Sequence, residues 1–126
     1  MISFDGFRLE DGIPIYLQII MHIKKGAASG AITSGEELPS RRVLSTLLGV
    51  NPNTVQKAYK LLEDEGIISS HAGAGSVISV TEAQRTAIRT ELIEAEIKKS
   101  VESLKLLGVD KQTALNIIEK SWEVKE

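Results

Sequence analysis

The fold is decided by residues 38–80, which read LPSRRVLSTLLGVNPNTVQKAYKLLEDEGIISSHAGAGSVISV. Two short helical patterns in this stretch are separated by the turn LGVN at residues 48–51, and a hairpin-like segment follows them. Two helices joined by a short turn and followed by a β-hairpin are typical of a winged helix-turn-helix, which places its second helix in a groove of DNA. We therefore expect a recognition helix over about residues 52–65 and a wing over residues 67–80.

Capping residues and apolar spacing set the limits of the helix pair. Ser40 is predicted to cap a helix over residues 41–48, and Asn51 is predicted to cap the next helix, which opens with Pro52. Gly66 suits the left-handed position that follows a helix end. The residues predicted to face the core are Val43, Leu44, Leu47, Leu48, Val55, Ala58, Tyr59 and Leu62.

Helical patterns also flank this stretch. Apolar residues at three- and four-residue spacing predict an amphipathic helix over residues 13–28. After the hairpin, Thr81 and Gln84 form a capping-box signature that begins a helix reaching to about residue 107. Asp110 is predicted to cap a last, shorter helix.

These elements predict a mainly α protein with a small β-hairpin. The 126 residues suffice for one domain and an appendage. We expect a winged helix-turn-helix over residues 1–80, in which residues 1–12 form an N-terminal arm. A two-helix dimerisation tail over residues 81–126 would follow it.

The charge pattern indicates double-stranded DNA as a partner. The charged residues between positions 38 and 62 are Arg41, Arg42, Lys57 and Lys60, and no aspartate or glutamate lies among them. The whole chain nevertheless carries a formal net charge of −2. Because the positive charge is concentrated on the helix pair, that pair is the predicted DNA-binding surface.

Composition argues against several other classes of protein. The chain has no cysteine and only two histidines, so neither a disulfide framework nor a metal cluster is expected. We find no nucleophile–base pair and no paired carboxylates, and we expect no enzyme activity and no cofactor. The sequence GAG at residues 73–75 does not open a helix as a nucleotide-binding loop would. Without a long apolar run or a secretion signal, the protein is expected in the cytoplasm, away from membranes.

The same residues resemble a known family. Its pattern is matched by Leu38, Pro39, Ser40, Arg42, Leu44, Leu47, Leu48, Gly49, Val50, Thr54, Val55, Ala58, Leu62, Gly66 and residues 73–75. Together with Pro14, Ile15 and Tyr16 upstream, they resemble the N-terminal winged helix-turn-helix of the GntR family of bacterial transcription regulators. The short tail is similar to that of the YtrA subfamily, which implies that it serves dimerisation.

The sequence also departs from the family pattern. Arg41 stands where a small apolar residue is common, and this extra cation predicts an additional phosphate contact. Family members often have arginine or lysine in the wing near His71 and Ala74. Residues 51–53, Asn-Pro-Asn, replace the more usual serine-rich start of the recognition helix. The operator sequence therefore does not carry over from relatives.

Candidate DNA contacts lie on both helices and on the wing. The resemblance implies that Arg42 contacts a base, and a guanidinium can pair bidentately with guanine. The start of a recognition helix meets base edges, so Asn53 and Gln56 are predicted to read bases and Thr54 to bind a phosphate. Asn51 is interpreted as a cap alone or as a cap that also binds a phosphate. The remaining candidates, with solvated side chains as the alternative for the lysines, are Ser40, Arg41, Lys57, Lys60, His71 and Gly73.

The tail carries an apolar stripe that two helices cannot bury by themselves. A two-fold dimer would cover this stripe and present two domains to a near-palindromic operator, as expected of a repressor. The residues predicted for the dimer interface are Ile88, Leu92, Ala95, Val101, Leu104 and Trp122. The sequence leaves open whether an unidentified small-molecule effector binds between the tail helices. The alternative function is a winged-helix module that binds protein.

Overall fold

The computed structural model describes residues 1–71 and 75–124. Their elements, in chain order, are α1 (Ile15–Ser29), α2 (Arg41–Leu48), α3 (Pro52–Asp64), β1 (Ile68–His71), β2 (Gly75–Ile78), α4 (Glu82–Leu106) and α5 (Lys111–Glu123). The mainly α fold with one antiparallel hairpin is confirmed. No helix in these ranges is long and apolar enough to cross a membrane.

Contacts divide the chain into two units, Met1–Thr90 and Glu91–Glu126. In the first unit α3 packs against α1, α2 and β1. The first turns of α4 belong to this unit, and Ile88 on α4 is buried. The functional boundary predicted between residues 80 and 81 stays a prediction. The side chains that are almost completely buried are Ile19, Ile23, Leu44, Val55, Leu62, Ile68 and Ile78.

Helix ends follow the capping chemistry of the sequence. Thr81 and Gln84 form the predicted capping box, since each backbone N–H donates to the other side chain at 2.8 and 3.1 Å. Asp110 accepts from the Thr113 N–H at the start of α5, and hydrogen bonds from the side chain and the backbone of Thr113 lower the pKa of the Asp110 carboxyl. Gly66 follows α3 with φ +76°, as predicted.

Two residues of α2 contradict the predicted core. Val43 is 48% exposed and Leu47 is 67% exposed, whereas Leu44 is fully buried. Residues four apart lie on one face of a helix, so Val43 and Leu47 share a face. Because α2 has only two turns and packs on one side, it buries the face of Leu44 and Ser45 and leaves the other face in solvent.

A short segment of the chain pairs with the hairpin beside its two strands. β1 pairs with β2 in the register Ile68↔Ile78, and both strands lie within the predicted wing, residues 67–80. The segment before α2 forms an antiparallel bridge between Glu37 and Val77, and the Leu38 N–H donates to the Ser76 carbonyl. This segment therefore fixes the hairpin beside the start of α2.

The N-terminal arm is attached to the same domain. Ile2 is buried, and its N–H donates to the Glu37 carbonyl at 2.8 Å. The rings of Phe4 and Phe7 lie 4.5 and 5.2 Å from the half-buried His22 ring on α1. The two phenylalanines thus pack the N-terminal arm against α1.

Tyr59 ties α3 to the chain that precedes α2. Its buried hydroxyl donates to the Pro39 carbonyl at 2.6 Å. In Tyr59→Phe that carbonyl loses its partner in a dry environment, so we expect the free energy of unfolding to fall by about 1–2 kcal/mol in urea titrations. Tyr16→Phe is the matched control, because Tyr16 is half-exposed and no bond of its hydroxyl is seen in the described ranges. Equal losses in both variants would contradict this role.

The Tyr59 hydroxyl also makes the free energy of unfolding depend on pH. Burial raises the pKa of the Tyr59 phenol above its ordinary value of 10.0. The folded state therefore holds this proton more tightly than the unfolded state, and the stability it gives is complete below about pH 10 and lost as the pH rises further. We expect the stability difference between the parent protein and Tyr59→Phe to narrow above pH 10. A difference that stays constant there would be the contrary result.

Candidate nucleic-acid interface

The turn between α2 and α3 is set by two caps and a glycine. Ser40 Oγ accepts the Val43 N–H at 3.1 Å, and Asn51 Oδ1 accepts the Asn53 N–H at 2.8 Å. Gly49 takes a left-handed conformation with φ +67°, which is unfavourable for side chains with a Cβ. Both predicted caps are confirmed. Because they fix how α3 leaves the turn, they also fix where its first residues point.

α3 has an apolar face and a polar face. Val55, Ala58 and Leu62 are fully buried. The half-buried Thr54 lies between the two faces. The exposed polar side chains follow a three- and four-residue spacing and are Asn53, Gln56, Lys57, Lys60, Glu63 and Asp64. The polar face therefore presents two amides and two cations over most of its length and two acids at its C-terminal end.

The two arginines of α2 differ in their surroundings. Arg41 Nη1 donates to Gln56 Oε1, so its side chain bridges α2 to α3. Arg42 is exposed, and within the described ranges its guanidinium has neither a hydrogen-bond acceptor nor an acidic partner. The sequence predicted both as DNA contacts. The structure leaves the donors of Arg42 available to a ligand.

Both lysines of α3 have partners in the protein. The Lys57 ammonium lies 4.0 Å from the centroid of the Tyr16 ring on α1, a cation–π contact that sequence analysis missed. Lys60 forms an ion pair with Asp64 at 3.0 Å, and this hydrogen bond and charge raise the pKa of Lys60. The ion pair between Lys60 and Asp64 could have been predicted from the sequence, because residues four apart lie side by side on a helix. The cations are thus held in place before any DNA arrives.

A groove of about 590 Å³ lies between the start of α2, the polar face of α3 and the hairpin. It brings together five predicted contacts, namely Ser40, Arg41, Gln56, Lys60 and His71. The other described candidates do not line it, and they are Arg42, Asn51, Asn53, Thr54 and Lys57. The candidate interface is therefore a groove together with the outer edge of the helix pair.

Acids lie at the wing side of this groove. Glu37 and Glu63 line it, and Glu63 Oε2 accepts from Ser70 Oγ at 3.0 Å. The acid-free sequence window did not reveal them, because both lie just outside residues 38–62. His71 Nε2 lies 3.2 Å from Ser69 Oγ, and Gly73 falls outside the described residues. The surface favours phosphate near α2 and the start of α3 more than near the hairpin.

The second unit, Glu91–Glu126, exposes most of its apolar side chains. α5 buries no side chain, and Trp122 is 83% exposed. Of the residues predicted for a dimer interface, Ala95 and Val101 are exposed, and Leu92 and Leu104 are half-buried. A cavity of about 370 Å³ lies between α4 and α5. Its apolar lining residues are Val101, Leu104, Val109, Ala114, Leu115 and Ile118.

The described part of the chain lacks a cluster of side chains that could bind a metal ion. Across residues 1–71 and 75–124, no group of three or more His, Cys, Asp or Glu side chains is arranged to hold a metal ion. The interface depends on guanidinium, ammonium, amide and hydroxyl groups, which are the usual partners of phosphates and base edges.

The fold and this polar helix face define a DNA-binding winged helix-turn-helix protein. Residues 15–78 match the family described as "Bacterial regulatory proteins, gntR family". The HTH-type transcriptional repressor YtrA of Bacillus subtilis (strain 168) is 42% identical over 110 residues, which cover 87% of this chain and 80% of that protein.

Solved structures agree with this match. A GntR family transcriptional regulator from Listeria monocytogenes gives a TM-score of 0.79 at 28% identity, covering 89% of this chain and 98% of that one. The DNA-binding domain of AraR in complex with an operator gives a TM-score of 0.50 at 28% identity, covering 60% and 92%. The chain belongs to the GntR family of bacterial regulatory proteins and is a DNA-binding transcription regulator, not an enzyme.

A double-mutant cycle tests the contact between Lys57 and Tyr16. Tyr16→Leu and Lys57→Met, measured singly and together by urea unfolding, should give a coupling free energy of about 0.5–1 kcal/mol, as for other exposed cation–π pairs. Replacing Tyr16→Leu by Tyr16→Phe keeps the ring and should keep the coupling. Mutations at independent sites give coupling free energies of up to about 0.3 kcal/mol. A value below that would show that the Tyr16 ring does not hold the Lys57 ammonium.

Proposed function

We propose that this regulator is a homodimeric repressor of a near-palindromic operator, read by α3 and the hairpin. The observation that carries the proposal is the polar face of α3, where Asn53 and Gln56 are exposed beside two cations. The similarity to a transcriptional repressor and to an operator-bound domain supports it. Since bacterial operators lie in the cytoplasm, we place the protein there.

Each candidate side chain receives a role from its position. No group among the described residues accepts from the Arg42 guanidinium, which would pair with a guanine, and Asn53 and Gln56 would read neighbouring base edges. At the start of α3 the Asn53 and Thr54 N–H groups are already bonded to Asn51 and Pro52 has no N–H, so Asn51 and Thr54 would bind a phosphate there through the donors of their side chains. The remaining side chains would hold the DNA backbone on either side, and they are Ser40, Arg41, Lys57, Lys60 and His71.

The tail supplies the argument for a dimer. Ile93, Ile97 and Trp122 are each more than half exposed, and a helix pair with this surface gains free energy when a second copy covers it. The apolar cavity between α4 and α5 would receive side chains of that copy. A small apolar effector would compete for the same cavity. Two domains joined in this way match an operator with two half-sites.

Ile97→Glu tests the dimer. Ile97 is 57% exposed, so the change leaves the single chain folded but would bury an unpaired charge at the interface. We expect the dimer dissociation constant, measured by sedimentation equilibrium, to rise at least about tenfold, and operator binding to weaken with it. The control is Lys98→Glu, on the neighbouring exposed position, which should leave the dimer intact. A parent protein that is monomeric at micromolar concentration would refute the dimer.

Selection of binding sites from a random duplex DNA library tests the operator and Arg42. We expect an inverted repeat, and on that site Arg42→Ala should raise the Kd about five- to hundredfold, since one bidentate base contact contributes about 1–3 kcal/mol. The control is Lys25→Ala, which removes an exposed cation on α1 and should change the Kd less than about twofold. If no sequence is enriched at low salt, the protein-binding alternative is favoured instead.

A further inference from the structure

The contact between Arg41 and Gln56 fixes what Gln56 can offer to DNA. A guanidinium carries only donors, so the amide atom that faces it must be the carbonyl oxygen Oε1. The orientation of this amide is therefore set by chemistry. The Nε2 group, with its two donors, is left for other partners. Both side chains line the groove between α2, α3 and the hairpin.

A free glutamine and an engaged one read different bases. Glutamine recognises adenine bidentately by accepting from N6 through Oε1 and donating to N7 through Nε2. Guanine presents two acceptors, N7 and O6, on the same major-groove edge. With one of the two lone pairs of Oε1 taken by a cation, the Nε2 donors of Gln56 suit the guanine edge, whereas an adenine N6 group would have to share Oε1 with the Arg41 guanidinium, whose positive charge repels another donor.

DNA binding does not require this contact to break. Arg41 has five N–H donors, and only one is given to Gln56. The others are available to a phosphate at the same time, so the phosphate contact and the contact to Gln56 are compatible. The hydrogen bond is also charge-assisted on the donor side, which makes it stronger than a bond between two neutral groups.

We propose that Arg41 determines base specificity in this regulator by occupying Gln56 Oε1, so that Gln56 selects a G·C pair over an A·T pair. The proposal rests on the proposed function, since it requires that the polar face of α3 meets base edges. It assigns to Arg41 a role beyond phosphate binding. If Arg41 only contacted the DNA backbone, that contact would be independent of base sequence and would leave the base preference of Gln56 unchanged.

The experiment is binding-site selection with the full chain and its variants, followed by Kd measurements on matched duplexes. Gln56→Ala identifies the operator position that Gln56 reads, as the position whose preference is lost. Duplexes carrying G·C or A·T there are then compared. The parent protein should prefer G·C, and in Arg41→Met the ratio of the two Kd values should shift toward A·T by at least about fivefold.

Lys60→Met is the matched control, because it removes a cation from the same groove that pairs with Asp64 and not with Gln56. It should weaken binding to both duplexes and leave their ratio unchanged. The inference is overturned if the parent prefers A·T, if no position depends on Gln56, or if Arg41→Met leaves the ratio unchanged. Enrichment of no sequence by the parent would instead refute the proposed function, so the two failures are distinguishable.

Discussion

The two faces of α3 are the constraint on which the rest of this molecule depends. Val55, Ala58 and Leu62 are fully buried against the other elements of the first unit. Asn53 and Gln56 lie on the opposite side of the same helix. Because a helix is rigid over a few turns, the packing of the buried face sets where the exposed amides stand. The core is thus also the device that aims the candidate DNA contacts.

Around that helix the polar side chains are held by partners within the chain. Arg41 contacts Gln56, Lys57 lies over Tyr16, and Lys60 pairs with Asp64. Long side chains lose rotamer freedom when they bind, and earlier ordering reduces the part of that loss that falls on association. Arg42 differs, since its guanidinium has no partner among the described residues. Compared with the other three cations, Arg42 would gain more interaction free energy from a new acceptor. Its side chain would also lose more rotamer freedom on binding that acceptor.

Local signals in the sequence predicted the element ends well. Ser40, Asn51 and the pair Thr81 and Gln84 cap helices as expected, because each cap bonds to a backbone group two or three residues away. The exposed face of α2 was missed at Val43 and Leu47, since apolar spacing in a two-turn helix does not reveal how many of its sides are covered.

Contacts between distant residues could not be predicted in the same way. Fifteen positions separate Arg41 from Gln56, and Lys57 reaches a ring on α1. Each pair depends on the angle at which two helices pack, and residue type alone does not give that angle. Of the two acids at the groove, Glu37 has the same origin. Glu37 arrives there because its segment pairs with β2, a bridge that the sequence pattern did not suggest.

The position of these acids bears on how a duplex would sit. Glu37 and Glu63 lie at the hairpin side of the groove, while the arginines lie at the start of α2. A phosphate near the acids is repelled, and one near α2 or the N-terminus of α3 is attracted. Repulsion on one side and attraction on the other define a single favourable placement of the backbone. In the proposed complex such a placement would hold the base edges opposite the amides of α3, and the acids would contribute to register although they weaken the overall attraction.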